Sequence, residues 1–172
     1  MANPDDAVED IFQPDGRLRV PLLTEPARAA LEESLRQARD TRWDSLRSPH
    51  IFMGLLAAPD AGVRNWGQRL DEDLANILGQ FQDLFRQDEI EDEPLLALNR
   101  EFLSDNVIRL LRDAHIRATD NRRSQITPMD LLITMLTSPN SIVAECFERI
   151  GITAAKLTEL AVIAEHQAPP GR

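Results

Sequence analysis

The stretch Leu23-Thr24-Glu25-Pro26-Ala27-Arg28-Ala29-Ala30-Leu31 has a counterpart in Leu103-Ser104-Asp105-Asn106-Val107-Ile108-Arg109-Leu110-Leu111. Followed outward, residues 23–71 match residues 103–151 without a gap, at a constant offset of 80. Nine positions are identical: Leu23/Leu103, Leu31/Leu111, Ala38/Ala118, Asp40/Asp120, Arg42/Arg122, Leu56/Leu136, Pro59/Pro139, Val63/Val143 and Arg69/Arg149. Others exchange like for like, among them Thr24/Ser104, Glu25/Asp105, Ile51/Leu131, Leu55/Met135 and Leu70/Ile150. A unit repeated in this way buries its apolar face against its neighbour, so the duplication fixes the architecture before any single helix is assigned.

Each copy reads as four helices. Thr24 is the N-cap of the first, with Pro26 inside its first turn and Glu25 complementing the helix dipole. Ala27, Leu31, Leu35 and Ala38 follow at helical spacing, as do Val107, Leu111, Ala114 and Ala118 in copy two. The opposite faces, Arg28, Glu32, Arg36 and Arg39, or Arg109, Arg112, Asp113 and Arg117, read as solvated surfaces with helical ion pairs. The second helix has Ser48 as cap and Pro49 at its first position, then Ile51, Phe52, Leu55 and Leu56. Copy two uses Thr127 and Pro128, with Asp130 closing a capping box. These caps place the two second helices one residue out of step with the offset, although their apolar faces stay in register. Val63, Trp66 and Leu70 mark a short third helix, echoed by Val143, Cys146/Phe147 and Ile150. A fourth apolar stripe runs through Leu74, Ile77, Leu78, Phe81, Leu84 and Phe85; its counterpart, capped by Thr153, runs through Leu157, Leu160, Ala161 and Ala164. No strand alternation appears. The expected fold class is all-α, two pseudo-symmetric four-helix repeats forming one globular domain.

The expected limits follow from composition. Residues 1–22, rich in acids and proline with a turn signal at Pro14-Asp15-Gly16, read as a mobile N-terminal arm in which residues 18–20 form a short extended piece lying on the domain. The domain spans 23–166: repeat one 23–87, an acidic linker 88–101, and repeat two 102–166, before a tail at 167–172. Within the linker, Asp88-Glu89-Ile90-Glu91-Asp92-Glu93 favours a solvated connection. A net charge of −10 argues against a nucleic-acid binder, which needs clustered Lys and Arg, and against an anionic membrane surface. The acidic N-terminus lacks the basic then apolar pattern of a secretory signal. Cys146 has no internal disulfide partner, so a reducing cytoplasm is expected.

Catalytic patterns are missing. His50, His115 and His166 are dispersed, with no metal-binding His or Cys spacing, no nucleophile elbow and no glycine-rich phosphate loop. The expectation is no enzyme activity, no metal and no cofactor. His50, close to a helix start, is expected to hydrogen-bond backbone. Cys146 and Trp66 are expected in the core, whereas Trp43, in a polar loop, is the better candidate for a contact.

The runs Leu23-Thr24-Glu25-Pro26-Ala27-Arg28 and Ser48-Pro49-His50-Ile51-Phe52-Met53-Gly54-Leu55-Leu56 resemble the first half of a Clp N-terminal domain. Leu103-Ser104-Asp105 and Thr127-Pro128-Met129-Asp130-Leu131-Leu132-Ile133-Thr134-Met135-Leu136 resemble the second half, so the likeness covers residues 23–165. It implies a binding role, since such domains sit ahead of ATP-driven unfoldase rings and receive adaptors or substrate segments; 172 residues leave no room for the ATPase module itself. In some relatives the helix-start Thr and the Glu before the His form paired sites for phosphorylated arginine. Here Thr24 and Ser104 keep the hydroxyl, but Pro49 and Met129 stand where the family has Glu, and neither pairs with a guanidinium. The expected partner is a protein or peptide: an adaptor, a substrate segment or a Clp ATPase. The expected surface comprises Thr24, Glu25, Trp43, Pro49, Ser104, Asp105 and Met129, with an apolar groove between the copies doing the binding. The second reading is a sensor holding a small molecule or modified residue between the repeats, which an enclosed apolar cavity there would favour.

Overall fold

The computed structural model describes residues 10–87 and 96–167. Eight helices follow in order: α1 Glu25–Asp40, α2 Ser48–Ala57, α3 Ala61–Leu70, α4 Leu74–Phe85, α5 Asp105–Asp120, α6 Pro128–Thr137, α7 Ile142–Glu148 and α8 Ala154–Gln167. Among the described residues there is no strand, and the chain is all-α with four isolated bridges.

The offset of 80 holds at the boundaries of the first two helices of each copy. Helices α1 and α5 start and stop at equivalent positions, as do α2 and α6. Thr24 and Ser104 each accept a hydrogen bond from the backbone N–H three residues on, at 3.2 Å in both copies. Helices α1 and α5 both end in a Schellman turn whose left-handed residue is an arginine, Arg42 (φ 67°) or Arg122 (φ 61°). The predicted slip between the second helices is not present. Arg47 and Thr127 are the N-caps, in step, because the His50 ring accepts from the Arg47 N–H just where the Asp130 carboxylate accepts from the Thr127 N–H.

The two copies are joined by an exchange of backbone bonds. Thr24 N–H donates to Ile126 O (3.0 Å) and Ile126 N–H to Leu22 O (2.7 Å). The equivalent bonds run from Ser104 N–H to Leu46 O (3.0 Å) and from Leu46 N–H to Phe102 O (2.8 Å). Each copy's first helix therefore starts beside the other copy's second, related by a pseudo-twofold axis. In the core Phe52, Trp66 and Phe81 of copy one meet Phe147 of copy two edge to face, with centroids 4.7 to 6.2 Å apart. Trp66, fully buried, donates its indole N–H to Leu157 O (3.1 Å) and so ties α3 to α8.

The repeat also begins earlier than its sequence shows. The 3₁₀ turns Val20–Leu22 and Arg100–Phe102 are equivalent, and Leu18 N–H donates to Leu98 O (2.9 Å), joining two residues that are themselves equivalent. Residues 10–22 are accordingly not a loose arm. Ile11, Phe12 and Leu18 are buried, held by the turn at 13–16 and by Arg112, which pairs with Asp10 at 3.3 Å and lies over the Phe12 ring. Residues 96–101 likewise pack, with Leu96 buried and Arg100 also over the Phe12 ring. The predictions for residues 1–9, 88–95 and 168–172 lie outside the described residues.

Candidate functional site

The exchange of backbone bonds places the predicted helix starts, Thr24-Glu25 and Ser104-Asp105, in two equivalent patches. In one, Thr24 and Glu25 lie beside Gln125, Ile126 and Thr127; in the other, Ser104 and Asp105 lie beside Leu46 and Arg47. The hydroxyls are engaged in holding the helices, since Thr24 Oγ1 also donates to Ile126 O at 3.2 Å. Glu25 and Asp105 are exposed, and Glu25 sits 3.6 Å from Arg28. Pro49 and Met129 are buried at the points where α2 and α6 dive into the core. Trp43 is half-buried: its indole N–H donates to Phe85 O, its ring meets His50 edge-on at 5.3 Å, and Arg47 lies over its outer face at 5.0 Å. The space between the copies, where an open apolar groove was expected, is occupied by the aromatic cluster around Phe52.

At equivalent positions the two copies carry different chemistry. Copy one has Gln37, Trp43, His50 and Phe85 where copy two has Arg117, Arg123, Asp130 and Glu165. His50 is 1% exposed and accepts from Arg47 N–H through Nδ1 (3.0 Å), which places its proton on Nε2, facing Thr41 Oγ1 at 3.4 Å. Burial, reinforced by the nearby Arg47 charge, lowers its pKa to about 4. In copy two the fully buried Asp130 carboxylate accepts from Arg117 (2.6 Å), from Arg123, and from the Thr127 N–H (2.9 Å). Arg117 also grips Glu165 through two bonds of 2.8 and 2.9 Å. Burial opposes the charge on Asp130, yet its two guanidinium partners and the capping bond outweigh that and hold its pKa below the ordinary carboxylate value. Arg117 is therefore not a solvated side chain as its place on the polar face suggested.

A groove of about 490 Å³ opens between the C-terminal halves of α5 and α6, bounded by Asp113, Ile116 and Asp120 on one side and Ile133, Thr137 and Pro139 on the other. Ile116 is 56% exposed at its rim and Ile133 is 5% exposed at its floor. Copy one has no room for such an opening. A Cβ on Gly54 would lie 2.1 Å from Ser34 Oγ and 2.3 Å from Ala30 O, so α1 and α2 touch. In copy two Thr134 and Leu110 stand in place of Gly54 and Ala30, and their added bulk keeps α5 and α6 from so close a contact. The groove was legible at one position only: Ile116 stands on an otherwise polar face where copy one has Arg36.

No group of three or more His, Cys, Asp or Glu able to hold a metal occurs among the described residues, and no helix there is long and apolar enough to cross a membrane. Neither the known protein-family models nor the curated protein sequences gave a match. Solved structures did. The N-terminal domain of the ClpD chaperone from Arabidopsis thaliana superposes with a TM-score of 0.66 at 17% identity, covering 88% of this chain and 99% of that one. The N-terminal domain of the ClpV1 ATPase from E. coli EAEC Sci1 T6SS gives 0.63 at 18%, covering 89% and 93%. A chain from a structure that includes a peptide of the EAEC T6SS Sci1 SciI protein gives 0.59 at 19%, covering 87% and 92%. The chain thus has the fold of Clp N-terminal domains over most of its length.

Proposed function

We propose that this chain is a non-catalytic protein-interaction domain of the Clp chaperone and protease system, working in the cytoplasm and holding an adaptor or a substrate segment. The observation that carries the reading is the open groove between α5 and α6, in which the exposed Ile116 stands over the buried Ile133. The fold supports it, because a structural neighbour was solved with a peptide. The exposed Glu25 and Asp105, one in each patch, and the outer edge of Trp43 are further contact points near the helix starts. A charge of −10 disfavours nucleic acid and anionic membrane as alternatives. Phosphoarginine capture of the family's kind is not part of the proposal, since Pro49 and Met129 are buried apolar residues.

Panning a random peptide library against the intact chain tests the reading. The expected result is a set of related sequences whose binding is lost in Ile116→Asp and reduced in Glu25→Gln/Asp105→Asn, with unfolding curves unchanged for these exposed positions. A library that yields nothing above background overturns it.

A further inference from the structure

We infer that the groove between α5 and α6 takes a basic amphipathic helix, its apolar side resting on Ile116 and two Lys or Arg residues seven apart meeting Asp113 and Asp120. This names the partner chemistry of the docking site proposed above and rests on that proposal.

The charge pattern carries it. In copy one, Glu33 is paired with Arg36 at 3.7 Å. In copy two the equivalent pair is Asp113 and Ile116, so one substitution exposes apolar surface and leaves a carboxylate without its cation. Among the described residues neither Asp113 nor Asp120 is ion-paired, and both are exposed at the groove. Among the described residues the one cation lining the groove, Arg117, is already paired with Asp130 and Glu165. The α5 edge of the groove therefore presents two unpaired carboxylates flanking an exposed isoleucine, which suits a partner carrying two cations flanking an apolar residue. Seven residues along α5 span about 10.5 Å and two turns, placing Asp113, Ile116 and Asp120 on one face. A helix laid along the groove presents Lys or Arg at i and i+7 with an apolar residue between them at the same pitch, packing as a third helix against α5 and α6.

The test uses the intact chain and three labelled synthetic helical peptides, read by fluorescence anisotropy. The first carries Lys at i and i+7 flanking Leu at i+3 and i+4; the second replaces both Lys with Glu; the third moves the Lys residues to the opposite face. The inference expects binding of the first peptide only, weakened about five- to tenfold by Asp113→Asn/Asp120→Asn and comparably by raising salt from about 0.05 M to about 0.5 M. Backbone amide shifts at 113–120 and 133–139 locate the peptide. Equal binding of all three peptides, or indifference to the double substitution, overturns the charge preference while leaving a peptide-binding groove in place. No binding of any peptide, with no shifts along the groove, overturns both.

Discussion

Copy one and copy two share a backbone and little else. Where copy one closes a tight helix pair at Gly54 and seals its end with Trp43 over a neutral His50, copy two spreads the same helices and seals its end with a cluster of four charges that includes Asp130. The lesson is that one helical frame tolerates two ways of filling the same positions, provided each is complete. An imidazole and a carboxylate perform the same capping task at equivalent points, but each demands its own surroundings, aromatic and dry for one, cationic for the other. The closed copy contributes rigidity; the spread copy retains an opening.

The largest expected effect comes from breaking the ionic side of this contrast. Asp130→Ala leaves Arg117 and Arg123 partly buried without their shared carboxylate and should cost about 3–5 kcal/mol, read as a fall in the urea midpoint. A loss below about 1 kcal/mol would mean that Glu165 alone satisfies both guanidinium groups and that the contrast is shallower than it looks. Next, Gly54→Ala should cost about 3 kcal/mol, because the added methyl meets the Ala30 carbonyl, which is backbone and cannot swing aside. The reciprocal Thr134→Gly tests whether bulk alone keeps α5 from α6, and should shrink the groove as seen in a crystal structure.

A smaller and more diagnostic effect lies in pH. The unfolded chain binds a proton on His50 below the ordinary value of 6.5, the folded chain only near 4. Stability from this buried neutral ring is complete above 6.5 and drains as pH falls from 6.5 to about 4, by at most about 3 kcal/mol. Asp130 behaves differently, since its lowered pKa supplies stability that is present above 3.8 and lost only as pH drops below it. Urea titrations between pH 7 and 4.5 should therefore show a decline in the wild type that His50→Gln flattens; a parallel decline in both proteins would detach the effect from copy one.

How much of this was readable beforehand follows the range of the interactions. The duplication, the Thr24 and Ser104 caps and the Asp130 capping box were legible because capping is settled within four residues. His50 was legible as a backbone partner for the same reason. The packing of Ile11, Phe12 and Leu18 was not, since it depends on Arg100, Arg112 and Leu98, some 80 to 100 residues away. Pro49 and Met129 looked like surface residues when aligned by motif, and only the path of α2 and α6 into the core reveals their burial. The ionic cluster joins a helix, a loop and α8, three places with no common signal in the chain.

The crossed backbone bonds between Thr24 and Ile126, and between Leu46 and Ser104, have a consequence for how the molecule is made. The first half leaves the ribosome with its opening amide unanswered until residue 126 is synthesised, about 5–20 seconds later at ordinary rates of translation. Co-translational assembly of this domain is thus governed by its second half, and a chain halted in between presents Phe52 and Trp66 to whatever is nearby.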